Sequence, residues 1–186
     1  MGKRKKLINE ILPTIKYGCY FRLVELNDAE FILSLRNNEK LSRYISKTSN
    51  NLQDQINWLK EYKKREKKGT EFYIICMSTD NLIRYGVIRI YNIGFDDFEI
   101  GSWLYAEDSP KDKAILGQLF CNSIAFEVLN LKLCKTSTRK ENRTVFRYLK
   151  TFNPIQVIED DLDYHFTYEY NSWNKRKEKL VKILGY

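Results

Sequence analysis

The sequence is poor in residues that break or bridge a chain. Three prolines and eight glycines among 186 residues exclude a collagen-like or Pro-rich fibre. His165 is the single histidine, so Ser-His-Asp chemistry has one candidate base and no local motif behind it. Cys19, Cys76, Cys121 and Cys134 form no C-x-x-C pair. No zinc ligand set is spaced along the chain, and no metal is expected. The four thiols read as small, reduced, buried residues. Long apolar runs are missing as well. Stretches such as Phe72 to Met77 fall far short of the ~20 residues a membrane span needs. Behind Met1-Gly2-Lys3-Arg4-Lys5-Lys6 no apolar stretch of a secretory signal follows. A cytoplasmic protein without membrane contact is the expectation.

What is present is a globular composition, 43% hydrophobic and 30% charged, which excludes wholesale disorder. The length suits one domain that buries roughly 70% of its unfolded surface. The net charge is +8. Residues 1–6, 60–68 and 172–182 each carry an excess of four positive charges, so the rest of the chain is slightly acidic. Such an excess steers anions, and nucleic acid, a nucleotide cofactor and a nucleotide sugar are all anions. No nucleic-acid motif accompanies the charge, and nucleic acid is not expected as a partner. The plainer reading is solvated helix faces and a frayed tail, and it is preferred for residues 60–68, where Glu61 with Arg65 fits an i,i+4 helix pair.

Along the chain, Phe21 to Leu26 reads as a strand. Asn27-Asp28-Ala29-Glu30 reads as a capping box opening a helix. A second helix follows Asn51, with the apolar stripe Leu52, Ile56, Leu59 and Tyr62, and Gly69 ends it. Phe72–Met77, Tyr85–Tyr91 and Phe98–Tyr105 read as three antiparallel strands. An apolar helix from Ala114 to Asn130 leads to a strand at Lys135–Arg139. A helix at Asn142–Phe152 and strands at Ile155–Ile158 and Asp163–Tyr170 come next, and a basic helix from Trp173 closes the chain. The 98–139 unit should be a parallel crossover. The fold class is therefore a mixed α/β sheet with helices on both faces.

This order resembles the GNAT acetyltransferase superfamily. Glu99-Ile100-Gly101-Ser102-Trp103-Leu104 looks like the fourth strand of the ribosomal-protein and amino-sugar subgroup. The segment from Lys140 to Phe152, with Asn142, is similar to the region that contacts coenzyme A. Leu35-Arg36-Asn37 with Tyr44-Ile45-Ser46-Lys47-Thr48 resembles enzymes that acetylate nucleotide-linked amino sugars. The resemblance covers residues 20–171, leaving 1–19 as a basic extension and 172–186 as a basic helix. It implies acetyl-CoA as co-substrate and, as acceptor, a primary amine of an amino-sugar nucleotide for surface polysaccharides. The rivals are a protein or peptide amine, and a non-catalytic binding domain. One departure stands out. Where the family's pyrophosphate loop is glycine-rich, this chain has Lys111-Asp112-Lys113-Ala114-Ile115-Leu116-Gly117. Only Gly117 matches, and N–H groups at a helix start must do the work, aided by Lys111 or Lys113 and opposed by Asp112.

The resemblance also implies site residues. Trp103, Leu104 and Tyr105 would offer backbone groups to the pantetheine arm, with Asn142 and Phe146 alongside. Glu99 is the candidate general base, and strand alternation puts it on one face with Gly101, Trp103 and Tyr105. Tyr148 is the candidate acid toward the leaving thiolate, one position before the family's usual tyrosine. Arg36, Asn37, Tyr44 and His165 are candidates for holding the acceptor, and His165 is an alternative base. Each has a plainer role: an ion pair, a helix cap for Asn142, core packing for the aromatics and for Trp58. The aromatic strand edge from Tyr164 to Tyr170 is a candidate homodimer surface.

Overall fold

The computed structural model describes residues 2–186. Helix α1 (Lys3–Ile11) leads to strands β1 (Thr14–Lys16) and β2 (Cys19–Leu23). Three helices follow: α2 (Ala29–Asn37), α3 (Glu39–Ser42) and α4 (Leu52–Lys68). Strands β3 (Phe72–Met77), β4 (Arg84–Tyr91) and β5 (Asp97–Tyr105) form the expected meander. Helix α5 (Lys111–Ser123), extended by a wide turn over Ile124–Val128, crosses over to β6 (Leu133–Arg139). The chain ends with α6 (Arg143–Lys150), β7 (Gln156–Glu159), β8 (Asp163–Glu169) and α7 (Tyr170–Ile183). The sheet order is β1-β2-β3-β4-β5-β6-β8-β7. Only β5 and β6 run parallel, as the crossover requires. No helix among the described residues is long and apolar enough to cross a membrane.

Two cores clothe the sheet. On one face α5, α6 and α7 pack over Phe72, Ile74, Ile88, Ile90, Phe98 and Phe166. On the other, α2 and α4 pack over Tyr73, Ile75, Val87 and Leu104. Six consecutive buried residues in β3 are what a central strand covered on both sides demands.

Several expectations need correction. Residues 2–19, the basic extension, pack onto the domain: α1 forms, Ile8 is fully buried, and β1 pairs with β2. Arg4 donates to the Gly94 carbonyl at 2.6 Å, and Lys5 meets Glu66 at 2.7 Å. The expected Asn27 cap is not made. Glu25 caps a short turn over Leu26–Asp28, with Asp28 reaching back to the Glu25 N–H at 2.8 Å. Asp28 is drawn there because Arg22 (2.7 and 2.8 Å) and Arg84 (3.0 Å) converge on it. Finally, Glu61 pairs with Lys64 at 2.7 Å, while Arg65 leaves the helix face for Glu71 at 2.6 Å.

Candidate active site

Strands β5 and β6 are paired only at Asp97, Phe98 and Glu99, against Leu133, Cys134 and Lys135. Beyond that they part. Thr136 Oγ1 donates to the Ile100 carbonyl at 3.0 Å just past the end of the ladder. The opening is a groove of about 150 Å³ lined by Ile100 to Leu104 on one strand and Thr136 to Thr138 on the other. Unpaired strand groups in such a gap are obligatory hydrogen-bonding sites for whatever lies there.

A bulge at Ser102 shapes this groove. The step from Val87 to Arg89 on β4 matches the longer step from Gly101 to Leu104 on β5. Ser102 takes φ 49, the left-handed region that a serine adopts at a cost of about 1–3 kcal/mol. The extra residue resets the alternation. Trp103 and Tyr105 therefore join Phe98 and Ile100 on the α5 side, and Leu104 turns to the α2–α4 core. The expectation that Glu99, Gly101, Trp103 and Tyr105 share a face is wrong for the last two.

Four of the expected residues line the groove: Trp103, Leu104, Asn142 and Tyr44. The Trp103 indole donates to the Ala114 carbonyl at 2.9 Å and packs against Tyr148. Asn142 caps α6, its Oδ1 accepting from the Val145 N–H at 3.2 Å. Tyr148 sits behind the groove. Its hydroxyl donates to Gln118 Oε1 at 3.0 Å, Gln118 itself lines the groove, and burial pushes the phenol well above its ordinary value.

The α5 start departs from the expected phosphate loop. Lys111 stands in its exposed first turn, where N–H groups lack intrahelical partners. Lys113 is turned away: its ammonium meets the Tyr17 carbonyl, the Tyr186 hydroxyl and Asp112. Ala114 and Ile115 are partly buried, and Leu116 is fully buried in helix packing. Gly117 serves Tyr105, because a Cβ there would overlap the Tyr105 hydroxyl. The unpaired strand groups of the groove and the free N–H groups at the α5 start are donors of the kind that a pantetheine chain ending in a diphosphate would need.

A second cavity, of about 320 Å³, opens on the α2–α4 face and shares Ser102 with the groove. Arg36 lines it, with Nη2 donating to the Ser46 carbonyl at 3.0 Å. Trp58, Arg89, Gln55 and Asp54 line it too. The Arg89 guanidinium lies 4.3 Å from the Tyr91 ring centre and 5.4 Å from that of Trp58. Burial raises Tyr73, another lining residue, to about 12. Sequence reasoning missed Arg89, Gln55, Asp54 and Ser102. Gln55, Trp58 and Tyr62 do recur at helical spacing, beside the apolar stripe it followed.

Other candidates lie apart. Glu99 lines neither cavity. It faces the Tyr91 hydroxyl, and burial together with that carboxylate raises Tyr91 to about 12. A Cβ on Gly101 would come within 2.9 Å of the same hydroxyl, so Tyr91 and Glu99 sit beside the parting strands. Asn37 is exposed at the end of α2. Phe146 packs on Tyr164 and Phe166. His165 is exposed, its Nε2 2.8 Å from Asp160 Oδ2, and lines neither cavity.

A sheet parted at a parallel pair, with a helix start at the groove's end and a second cavity beside it, is the architecture of an acyltransferase of the GNAT fold. A family model described as an acetyltransferase (GNAT) domain matches residues 19–152. The chain belongs to the GNAT acetyltransferase family, whose enzymes use acetyl-CoA. No curated protein matches the sequence. Among solved structures, FdhC, a nucleotide-linked sugar GNAT, is 33% identical with a TM-score of 0.80, covering 90% of this chain and 96% of its own. The ribosomal-protein-S5-alanine acetyltransferase from Vibrio fischeri is 15% identical with a TM-score of 0.73, covering 88% and 99%. Spermidine N-acetyltransferase from Vibrio cholerae, in complex with CoA and spermine, is 15% identical with a TM-score of 0.70, covering 86% and 99%. The last two share the fold.

Proposed function

We propose that this protein moves an acetyl group from acetyl-CoA to the primary amine of a nucleotide-linked amino sugar, the kind of precursor used for surface polysaccharides. The observation that carries this reading is the second cavity. Two guanidiniums and an indole line it, and it meets the groove at Ser102. Guanidiniums grip phosphate oxygens in bidentate fashion. The indole faces are taken by Tyr62 and by the Arg65 and Arg89 guanidiniums, and the indole edge offers area to a base or sugar. The same guanidiniums repel a polyamine, and Asp54 is already engaged by the Ser49 hydroxyl at 2.7 Å. The 33% identity to a nucleotide-linked sugar GNAT supports the same acceptor class.

In this reading acetyl-CoA supplies an activated acetyl thioester in the groove between β5 and β6. Arg36 holds the acceptor's diphosphate, and Tyr44 closes the wall between acceptor and donor. Glu99, beside Tyr91 and outside both cavities, takes through a bridging water the proton that the amine gives up. Tyr148, held by Gln118, is the proton source for the leaving sulfur. Most of the rate comes from holding amine and thioester in register.

The test is a turnover assay by thiol release across four acceptors. These are an amino-sugar nucleotide, the free amino sugar, spermidine and an alanine-terminated peptide. Acetyl-CoA is expected to bind with a Kd near ~1 µM, about −8 kcal/mol. The amino-sugar nucleotide should give the highest kcat/KM, by about 100-fold or more over the free sugar. A higher kcat/KM for spermidine or the peptide overturns the reading.

A further inference from the structure

Two groups in the second cavity have hydrogen-bonding capacity that the protein leaves unused. Gln55, on α4, is 7% exposed and lines the cavity. Its side-chain amide makes no hydrogen bond among the described residues, although neighbouring α4 residues such as Gln53 do. Arg89, on β4, is the second. Its Nε lies 3.5 Å from Glu71 Oε1, yet both atoms are buried without a hydrogen bond. Glu71 spends its other oxygen on Arg65 at 2.6 Å. No acceptor among the described residues takes any side-chain N–H of Arg89. The guanidinium is held by charge and by the flat faces of Tyr91 and Trp58.

Buried polar groups are nearly always satisfied, and an unmet one costs about 1–3 kcal/mol. Arg89 Nε and Glu71 Oε1 are the buried atoms left unmet beside this cavity, Gln55 adds an amide in its lining that no side chain among the described residues engages, and together they point to a partner with complementary chemistry. Arg36 differs, because the Ser46 carbonyl already takes one of its N–H groups. Arg89 offers a whole fork of donors that a doubly acceptor group, such as a phosphate, would fill. An amide with a free carbonyl and a free NH₂ matches a neutral group that both donates and accepts, such as a sugar hydroxyl.

We propose that Arg89 and Gln55 select the acceptor: Arg89 joins Arg36 on the diphosphate of the nucleotide-linked sugar, and Gln55 reads a hydroxyl on its amino-sugar ring. This rests on the acceptor reading above and divides the labour within it. Glu71 sets Arg89 in place without exhausting its donors. A site of this kind discriminates strongly, because an acceptor lacking the group leaves the buried polar atoms unpaired.

The experiment measures calorimetric binding of uridine and thymidine diphosphate to the wild type, to Arg89→Lys and to Gln55→Leu. Turnover of an amino-sugar nucleotide is measured alongside. Arg89→Lys keeps the charge beside Glu71 and removes the flat fork. It should weaken binding of the preferred diphosphate by about 10-fold or more while acetyl-CoA binding stays within about twofold, which certifies the fold. Gln55→Leu should leave diphosphate binding unchanged and lower kcat/KM for the amino-sugar nucleotide by about 10-fold or more. Wild-type diphosphate binding that Arg89→Lys does not weaken overturns the role of Arg89 and spares the acceptor reading. Unchanged kcat/KM in Gln55→Leu overturns the role of Gln55 in the same way. If the wild type binds neither diphosphate and does not turn over the nucleotide-linked amine, the acceptor reading itself falls.

Discussion

Gly117 tests whether the start of α5 is a glycine phosphate loop or a packed helix. The structure makes it a packing glycine: a Cβ at 117 would overlap the Tyr105 hydroxyl oxygen and lie 3.0 Å from its ring carbon Cζ. That hydroxyl is buried with no hydrogen-bond partner and has the Cys76 and Cys121 thiols as neighbours. Gly117→Ala gains about 1 kcal/mol of helix preference and loses about 1–3 kcal/mol to overpacking. The buried Tyr105 ring cannot move aside cheaply, so the upper part of that loss, about 2–3 kcal/mol, applies and a net loss of about 1–2 kcal/mol is expected. That corresponds to a Tm lower by about 2–8 °C in a chain of this size. Tyr105→Phe removes an oxygen that makes no bond and should be neutral or stabilising by about 1 kcal/mol. The double variant keeps the helix gain and sheds the overlap with the oxygen, leaving a tight 3.0 Å contact with the ring, so it should lie within about 1 kcal/mol of Tyr105→Phe, with a coupling energy of about 1–2 kcal/mol. Thermal melts of the four proteins, each with an acetyl-CoA titration, make the cycle. An unchanged Tm in Gly117→Ala with acetyl-CoA affinity lost by tenfold or more, not restored by Tyr105→Phe, refutes the packing argument and returns Gly117 to the phosphate loop.

Three further expectations follow from the same geometry. Glu99→Gln should lower kcat by about 10²–10⁴ while leaving acetyl-CoA affinity intact; unchanged turnover removes Glu99 from the proton path. Arg36→Ala should raise KM for the acceptor by about tenfold and leave that for acetyl-CoA unchanged, and the opposite pattern moves Arg36 to the donor side. Asp28→Asn should cost about 2–3 kcal/mol, because a fully buried carboxylate serves Arg22, Arg84 and the Glu25 N–H. Burial opposes the charged form of Asp28, but those partners outweigh it and hold the carboxyl below its ordinary value. Its contribution is therefore present above the unfolded carboxylate pKa of about 4 and lost as pH falls through the lower folded value. The stability gap between wild type and Asp28→Asn should narrow on acidification in denaturant titrations, and a gap that widens refutes the assignment.

The sequence made the middle of the sheet legible because its signals are local. Phe72–Met77 is apolar throughout, Arg84–Tyr91 alternates, and the 98–139 unit has the length of a crossover. The amino-terminal helix was hidden by its own lysines. Only Ile8 of its residues is fully buried, so a short amphipathic helix looked like a charged tail. The Asp28 turn was hidden for a different reason: its guanidinium partners lie six and fifty-six residues away, and a local cap motif beside it looked adequate. The bulge left no trace, because a serine at positive φ obeys no local preference. Losing it misplaced Trp103 and Tyr105 and concealed that Ser102 is shared by two cavities. Arg36, Tyr44 and Asn142 each belong to a local motif and line one of the two openings, whereas Arg89 and Gln55 come into view only when β4 meets α4.

The charge makes the same point in energetic form. The excess of +8 drew attention to three basic segments, and in the folded chain those segments have other work. Arg4 and Lys5 fasten α1 to Gly94 and Glu66. Lys63, Lys64 and Arg65 serve Glu25, Glu66, Glu61 and Glu71. In α7, Lys177 serves Glu127, and Arg176 donates to Thr151. Exposed charges of this kind fade over a Debye length of about 8 Å at physiological salt. Arg36 and Arg89 add little to the sum, yet they face a half-enclosed cavity where the effective dielectric is lower and each interaction is stronger. In the acceptor reading proposed above, the sign of the partner is therefore read from two arginines inside the fold, and the net charge of the chain is close to irrelevant to it.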